Sequence, residues 1–461
     1  GGSHAAAALA CAGFKVLLVE AGPRLPDNLH RDVWAHRKMG VLKNRHHWWH
    51  WRARPSPVLM YSGRGLGGTS AVNGMVYTRG HQADFPVNWT EIELAASEIG
   101  PPMLEAEQLE LGSAAPMVRA VVSAFESLGV PWVGQHGTKQ TGEGLGFAAQ
   151  WQYRRSSFQE ASDLQCGDLC PMSLSSGPVK QQCGEVNILS NAKARRLVWS
   201  TDTVSPSVEQ VELVYRGNKT ITVPAKHVVL AAGAIGTPSI LLASGASGLC
   251  NREIGRGLQE HFGFDVMIAL KASCKEVLWG KAKSRLSKPL VAFLGADRPW
   301  AEIVMEPTCC AREGEERICL QTSTILLRGK SSGYIDIDAA MAEKDSSVRF
   351  HLHSDDLDVI GNTFNFLRRS LLASPLLAEY DPQILPMGQF PDISDWDGLM
   401  SIIYDKFKNY HHYARSMSSA VDNRLRLKGC QGIRIGDASV LTSPVTGHPD
   451  VPARLLGRVA A

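Results

Sequence analysis

Short apolar runs alternate with helical patterns along much of the chain. Residues 14–20, 226–233 and 432–439 each form a compact apolar run that ends at or near glycine or an acidic residue, as buried parallel strands do. The alanine-rich stretch at residues 2–10 predicts a helix before the first of these runs. The pattern therefore predicts an α/β sheet assembled from distant parts of the chain.

Further helices are predicted at residues 117–128, 237–245, 355–372 and 451–460. In the second of these, Pro238 is expected in the first turn and Gly245 at the end, the positions that these residues favour. Residues 186–214 predict short strands, and the region of about 270–404 predicts longer mixed strands.

These elements predict two domains, which the length of 461 residues also favours. The first is a Rossmann-like α/β domain that lacks its first strand, and the second is a mixed-sheet α+β domain. The first is expected to cover residues 1–89, 183–270 and 405–461, and the second residues 90–182 and 271–404. Within the second, the polar segment 165–182 is interpreted as a surface insertion.

The turn before the first helix fits part of the dinucleotide fingerprint G-x-G-x-x-G/A. If the first glycine precedes residue 1, Gly2 is the second glycine and Ala5 is the third small residue. Gly2 would let the backbone approach a pyrophosphate at the helix N-terminus, and Glu20 would bind a ribose hydroxyl. A glycine turn before a helix is often only structural, so this pattern requires support from elsewhere in the chain.

A glycine-rich loop at residues 63–77 enters an apolar segment. Such loops bring backbone amides close to a flat, polar ligand, although a mobile surface loop is the simpler alternative. Because buried-type residues are interleaved with the glycines, ligand contact is favoured.

The tract 46–51 contains only histidine and tryptophan, which raises the question of a metal site. Residues 49–52 alternate as a half-buried strand does, and no acidic or cysteine ligand lies at a useful spacing. A structural role is therefore favoured.

The charge, the apolar stretches and the cysteines of the chain narrow the classes of function that the protein can have. The net charge is +3 without a long run of one sign, which does not favour nucleic acid or an anionic membrane as partner. No apolar stretch approaches the ~20 residues that span a bilayer. The ten cysteines are scattered and predict neither zinc nor a dense disulfide scaffold, and Cys309 and Cys310 are interpreted as ordinary residues. Small-molecule chemistry is favoured.

Four segments together resemble the signatures of the glucose-methanol-choline (GMC) oxidoreductase family. Residues 63–80 resemble the first signature, 233–244 the second, 254–261 the strand entry behind it, and 422–440 the C-terminal block. Residues 455–458 add a likeness to the plant and algal hydroxynitrile lyase-like branch. The resemblance implies an FAD-binding α/β domain and a mixed-sheet substrate-binding domain.

The resemblance also assigns residues to FAD. The pyrophosphate, ribose and adenine would lie near the first helix and strand, and the flavin along the glycine-rich loop. The implied contacts are Gly2, Ser3, Glu20, Ala21, Gly67, Gly68, Thr69, Asn73, Gly74, Met75, Val76, Ala194, Gly233, Asp437, Ala438 and Pro449. Val72 stands where some members carry a histidine bound covalently to flavin, so noncovalent FAD is expected.

Two histidines are the catalytic candidates, because family members use a histidine followed by a second histidine or an asparagine. His412 and His448 match these places. Hydride transfer to flavin N5 requires loss of the hydroxyl proton, which a neutral imidazole of pKa about 6.5 accepts. His412 is the predicted general base, and His448 would orient the alkoxide. Without the family block, His411 or His412 would be interpreted as a structural or exposed histidine; the block favours His412.

The implied function is an FAD-dependent alcohol oxidase or dehydrogenase with a small-molecule substrate and an unidentified electron acceptor. The alternative is a hydroxynitrile lyase with the same histidines and non-redox FAD; a light-driven fatty acid decarboxylase and a nonenzymatic remnant are weaker alternatives. Residues 413–417 depart from the Gly-Thr-Cys or Gly-Gly-Cys sequence of most relatives, which leaves the substrate open. Arg415 would pair there with an anionic substrate, with the reduced flavin, or in a structural salt bridge.

Overall fold

A computed structural model describes most of the chain, and the residues it describes are 1–23, 48–55, 58–71, 73–74, 76–99, 116–136, 141–147, 149–150, 184–202, 204–273, 289–312, 314–336, 347–385, 390–392 and 394–461. The predicted insertion at 165–182 lies outside them. The helices are α1 Gly2–Cys11, α2 Trp89–Ile99, α3 Pro116–Glu126, α4 Gly233–Ala243, α5 Ala246–Leu249, α6 Ser354–Leu371, α7 Trp396–Lys406 and α8 Asp450–Ala460.

The described strands, in chain order, are β1 Val16–Glu20, β2 Trp48–Pro55, β3 Leu59–Gly63, β4 Val76–Tyr77, β5 Trp132–Gln135, β6 Gly144–Phe147, β7 Ala149–Gln150, β8 Val186–Ser190, β9 Ala192–Trp199, β10 Val208–Tyr215, β11 Lys219–Pro224, β12 Val228–Leu230, β13 Arg256–Leu258, β14 Phe262–Leu270, β15 Leu290–Leu294, β16 Ala301–Arg312, β17 Glu315–Leu326, β18 Ser332–Asp336, β19 Ser347–His351, β20 Gln383–Leu385, β21 Lys408–Asn409 and β22 Ile433–Ile435.

The predicted α/β elements are present near both ends of the chain. Strand β1 pairs in parallel with β8, β12 pairs in parallel with β22, and α1 packs against α8. Leu17 in β1 is 43% exposed, although the pattern predicted a buried strand. Among the described residues only β8 pairs with β1, so burial of β1 is incomplete.

Helix α4 differs from its prediction. It begins at Gly233, so Pro238 lies in its interior and not in its first turn, while Gly245 follows its end in the left-handed conformation as expected. Proline donates no backbone hydrogen bond, which leaves the carbonyl four residues earlier without its helical partner. Here Ala234 O accepts a hydrogen bond from Ser416 Oγ at 2.5 Å. The prediction was wrong because a hydroxyl from a distant segment makes the interior position tolerable.

The middle of the chain forms a large mixed sheet, as the longer strands predicted. Its strand order is β20-β14-β17-β16-β15-β6-β5, and β21 also pairs with β14. Helix α6 packs across β14 and β17 through its apolar face. This sheet supplies strands to the candidate site described below.

Two smaller sheets among the described residues have the strand orders β13-β18-β19-β2-β3 and β11-β10-β9. Strand β2 confirms the strand predicted at residues 49–52, while His46 and His47 lie outside the described residues. No group of three or more His, Cys, Asp or Glu side chains in the described part of the chain is arranged to hold a metal ion. Among the helices that the structure describes, none has the length and apolar character that crossing a membrane requires.

Two large groups of buried apolar side chains meet at the segment after His412. Tyr413 belongs to the group that includes Phe264 and Phe364 of the mixed sheet and α6. The next residue, Ala414, belongs to the group that includes Leu455 of α8. The chain near His412 is thus fixed between two cores, and the domain limits predicted above stay a prediction.

The interpretation of Cys309 and Cys310 as ordinary residues was wrong. Every cysteine that the structure describes is disulfide-bonded, including both Cys309 and Cys310. Cys310 pairs with Cys319 across the β16–β17 hairpin, and Cys250 pairs with Cys430. Spacing did not reveal these pairs, because strand register and chain folding decide which cysteines meet.

Candidate active site

One cavity of about 2050 Å³ brings the predicted site residues together. Its lining includes both histidines and every described residue predicted to contact FAD, namely Gly2, Ser3, Glu20, Ala21, Gly67, Gly68, Thr69, Asn73, Gly74, Val76, Ala194, Gly233, Asp437, Ala438, Pro449, His412 and His448. Val72 and Met75 lie outside the described residues. The volume exceeds the roughly 300–1,000 Å³ of ordinary ligand pockets, as an extended dinucleotide with a substrate requires.

The N-terminus of α1 lines this cavity. Its first backbone N–H groups have no helical partners, so they provide donors for a phosphate. A Cβ on Gly2 would lie 3.3 Å from the Ala231 Cβ, which is tighter than ordinary contact. The absence of a side chain at Gly2 keeps this part of the cavity open, and the donor set fits a pyrophosphate.

Glu20, at the end of β1, joins the first strand to the glycine-rich loop. Its Oε1 accepts hydrogen bonds from Gly22 N at 2.7 Å and Gly65 N at 3.1 Å. Burial raises the pKa of Glu20 to about 7, against the opposing effect of these N–H groups and of Arg64. The predicted ribose ligand therefore also holds the loop in place.

The side chain of Asp437 is occupied by partners within the protein. Its Oδ2 accepts hydrogen bonds from Gly233 N at 2.9 Å and Thr237 Oγ1 at 2.6 Å, and its Oδ1 accepts one from Ser439 N at 2.8 Å. These contacts hold the N-terminus of α4 beside the turn that carries Ala438. A carboxylate next to the predicted pyrophosphate position is thus explained by its structural role.

His412 and His448 also line the cavity. Their ring centroids are 4.8 Å apart, with an angle of 66° between the ring planes. Although 36 positions of the sequence separate them, the fold brings the two imidazoles into contact. One substrate hydroxyl beside the pair could therefore contact both rings.

His448 is paired with a buried carboxylate that sequence reasoning missed. Its Nε2 lies 3.0 Å from Oε1 of Glu302 in β16, whose side chain is fully buried. Burial lowers the pKa of His448, but the Glu302 charge and hydrogen bond outweigh it and raise the pKa above the usual value. The available signal was an acid near the start of the apolar stretch of β16, which also contains Glu306.

The loop before His448 is fixed by a second buried acid. Asp84 accepts hydrogen bonds from His81 N and Thr446 N, each at 2.7 Å, and forms an ion pair with Arg298. His448 N donates to Thr78 Oγ1 at 2.7 Å. The position of the His448 ring is therefore set by groups far from it in sequence.

His412 is held through both its backbone and its ring. Its N–H donates to Glu260 Oε1 at 2.8 Å, and its Nδ1 lies 2.9 Å from Nδ1 of His261. Burial, with the nearby His448 and His261, lowers the pKa of His412 well below the usual value. His412 is therefore neutral at neutral pH, and Nε2 is the nitrogen left for a substrate.

The neighbours of His412 have different roles. His411 Nδ1 lies 2.7 Å from the Tyr413 hydroxyl, and its ring meets Tyr61 edge-on with centroids 5.3 Å apart. Arg415 Nε donates to Thr442 O at 3.0 Å and does not line the cavity. Among the described residues Arg415 thus binds a backbone carbonyl, and its predicted roles stay predictions.

Parts of the sequence match known protein families. Residues 7–167 and 172–263 match the profile of the N-terminal domain described as GMC oxidoreductase, and residues 329–457 match that of the C-terminal domain. The alcohol dehydrogenase (acceptor) of Pseudomonas putida is 21% identical over 543 residues, covering 97% of this chain and 90% of the relative. The oxygen-dependent choline dehydrogenase of Burkholderia pseudomallei (strain 1710b) is 24% identical over 530 residues, covering 97% and 89%.

Solved structures share the fold. The pyridoxine 4-oxidase from Mesorbium loti superposes with a TM-score of 0.73 at 21% identity, covering 100% of this chain and 97% of that one. A fungal aryl-alcohol oxidase superposes with a TM-score of 0.72 at 16% identity, covering 100% and 96%. The predicted fold class, a Rossmann-like domain with a mixed-sheet domain, is confirmed.

Proposed function

The chain belongs to the GMC oxidoreductase family, and on that premise we propose that it oxidises the CH–OH group of an alcohol with His412 as general base. It is an FAD-dependent oxidoreductase, so the resemblance of its motifs is confirmed at the level of the family. The particular branch of plant and algal relatives stays a prediction.

The proposal rests mainly on two neighbouring imidazoles in the cavity whose pKa values are shifted in opposite directions. Their rings are in contact at 4.8 Å, yet the pKa of His412 is lowered and that of His448 is raised. Groups whose environments move their pKa values apart divide acid and base roles between them. A proton acceptor and a proton-bearing hydrogen-bond donor thus lie side by side.

His412 supplies the acceptor. In its neutral form Nε2 takes the hydroxyl proton of the substrate, which turns the alcohol oxygen into an alkoxide and weakens the adjacent C–H bond toward hydride loss. The charge formed on His412 lies beside the ring of His448, which is paired with Glu302.

His448 supplies the donor. Its Nε2 is engaged with Glu302 at 3.0 Å, which leaves Nδ1 for the substrate oxygen. Since this imidazole keeps its proton to a higher pH than an ordinary histidine, it stabilises negative charge on that oxygen. It also orients the oxygen between the two rings.

FAD would be held in the cavity by Gly2, Ser3 and Glu20 and by residues of the glycine-rich loop along its wall. When bound there, FAD supplies the acceptor for the substrate hydride. The alcohol loses one hydride and one proton, and the proton is the part that the described side chains receive. Noncovalent attachment of FAD is retained as part of the proposal.

The names of relatives support alcohols as the substrate class. They include an alcohol dehydrogenase, a choline dehydrogenase and an aryl-alcohol oxidase. These names describe those proteins. For this chain we propose only alcohols as a class, since the cavity that the histidines line has room for a small molecule.

An anaerobic screen of primary and aromatic alcohols tests the proposal. The holoenzyme is mixed with each alcohol, and the flavin absorbance near 450 nm is followed. The proposal expects at least one alcohol to bleach the flavin. Cleavage of a mandelonitrile-type substrate without bleaching by the corresponding alcohols would contradict it and support the lyase alternative.

A further inference from the structure

The β-pairing between the segment that carries His412 and the segment that leads into β14 is irregular at His412. Residues 409–414 run antiparallel to residues 259–262, and the pairs at both ends of this stretch are regular. Between those pairs the His412 segment advances by five residues and the opposite segment by three. The His412 segment therefore contains two extra residues, which form a β-bulge. His411 within it has a φ of +64°, a left-handed conformation that is uncommon outside glycine. Bulges of this kind change the direction of a side chain, here that of His412.

Glu260 and His261, two consecutive residues of the opposite segment, contact this bulge. Glu260 Oε1 accepts hydrogen bonds from His412 N at 2.8 Å and from His261 N at 2.9 Å. The ring of His261 reaches the ring of His412, with 2.9 Å between their Nδ1 atoms. Both residues are almost completely buried, with 3% exposure for Glu260 and none for His261. Glu260 therefore holds the backbone of His412, and His261 contacts its imidazole.

We propose that His261 is a positioning residue that sets the tautomer of His412, with its own Nδ1 accepting the Nδ1–H of His412. This arrangement places the His412 lone pair on Nε2, where the proposed function requires it. Glu260 assists by holding the His412 backbone. The inference rests on the proposed function for its catalytic consequence but not for the tautomer itself.

The environment of His261 favours the accepting role. Burial, with the charge of His448, lowers the pKa of His261 to about 3, so this ring is neutral and has one donor and one acceptor nitrogen. The Leu327 backbone carbonyl also acts on this ring, while the buried Nε2 has no hydrogen-bond partner among the described residues. Because a carbonyl only accepts, it favours the His261 proton on Nε2 and leaves Nδ1 free to accept.

A neutral partner also suits the chemistry better than a carboxylate. A charged acceptor beside His412 would raise its pKa and keep it protonated before the substrate arrives. Neutral His261 fixes the ring and its tautomer while His412 stays a free base. When His412 receives the substrate proton, the same hydrogen bond is strengthened because its donor becomes charged.

A pair of variants with matched size separates the hydrogen bond from packing. In His261→Asn the Oδ1 atom takes the place of Nδ1 as acceptor, whereas His261→Leu fills a similar volume without one. Thr324→Val serves as a control, because it removes a buried hydroxyl that bonds Phe264 O at 3.1 Å in the same sheet, away from the cavity.

Two measurements are made on each holoenzyme. Nitrogen-15 NMR of selectively labelled histidine reports the His412 tautomer, with His412→Ala assigning the signal, and anaerobic stopped flow reports flavin reduction. His261→Leu should shift His412 toward a tautomer mixture and lower the limiting reduction rate by about 10- to 100-fold, as loss of an orienting partner does, with substrate Kd unchanged. His261→Asn and Thr324→Val should retain the tautomer and stay within about threefold of the parent rate.

The inference is overturned if His261→Leu leaves the tautomer of His412 unchanged, or if Asn and Leu lower the rate equally with the same NMR spectrum. Should the Leu variant not fold, a changed tautomer in His261→Asn overturns it as well. An unaffected rate in His412→Ala, with the tautomer still shifted by His261→Leu, would remove the proposed function and leave the positioning of His412 standing.

Discussion

The cavity lining has two parts, here called the cofactor end and the catalytic end, which are built from different kinds of groups. The cofactor end consists largely of backbone, supplied by the turn at Gly2 and the glycine-rich loop at residues 63–77. The catalytic end consists of side chains from remote segments, since His448 pairs with Glu302 and His412 with His261. Backbone donors need only local glycine patterns, whereas paired side chains need correct strand register. The first kind of site is visible in a sequence, and the second emerges only with the fold.

The comparison predicts that the two ends can be damaged separately. Substitutions at the catalytic end should lower the rate per bound flavin while FAD is retained. Substitutions at the cofactor end should release FAD while the rate per bound flavin changes little.

Glu302→Gln should give the larger effect, since it removes the buried charge that raises the pKa of His448. With the Glu302 charge gone, burial is opposed only by more weakly acting charges, so the pKa of His448 falls and its proton is lost at a lower pH. The alkaline limb of the flavin-reduction rate should move to lower pH, and the rate at pH 8 should drop by about 10- to 100-fold. A pH series of anaerobic stopped-flow traces measures both.

Glu306→Gln is the matched control for Glu302→Gln. It removes a carboxylate from the same strand, and Glu306 raises the pKa of His448 only through charge at a distance. An alkaline limb that moves equally in both variants would mean that direct pairing with Glu302 is not the cause.

Gly2→Val tests the cofactor end. A side chain here would crowd Ala231 and intrude on the helix N-terminus, at a cost of about 1–3 kcal/mol. FAD affinity should therefore fall by about tenfold or more, measured by flavin fluorescence on release. Ala8→Val places the same side chain on α1 outside the cavity lining and should retain FAD. A slower rate per bound flavin with normal affinity in Gly2→Val would break the distinction between the two ends.

Glu20→Gln should have the smallest effect. Because the folded pKa of Glu20 is raised to about 7, charging it opposes folding, and stability is lost as pH rises through that value. The amide retains an acceptor for the loop, so the fall in Tm between pH 5 and pH 8 should be smaller than in the parent by roughly 1–4 °C. The exposed Glu93→Gln on α2 should follow the parent curve. If the Tm of Glu20→Gln falls between pH 5 and pH 8 as much as that of the parent, the raised pKa of Glu20 is contradicted.

The sequence predicted what local patterns and family motifs encode. Strand β1, helix α8 and the approach of His412 to His448 follow from apolar spacing and from the resemblance of separated blocks. The partners of the histidines did not follow. Glu302 is one of two glutamates in β16, and only the fold places it, rather than Glu306, beside His448.

Errors in the sequence predictions have the same physical origin. Pro238 was expected in a first turn, yet a hydroxyl from Ser416 satisfies the carbonyl that proline leaves unpaired inside the helix. Cys310 was interpreted as an ordinary residue, yet its partner Cys319 faces it across a hairpin. In both cases the deciding atom lies on another segment, so no local pattern contains it.

The central claim is that His412 is the base, and its replacement tests this most directly. In His412→Ala, anaerobic flavin reduction by the best alcohol should fall by about 10²- to 10⁴-fold with FAD retained, and added imidazole should restore part of it. His411→Ala should lose far less, because the ring of His411 is bound to Tyr413. A parent-like rate in His412→Ala, with FAD bound, would contradict the account.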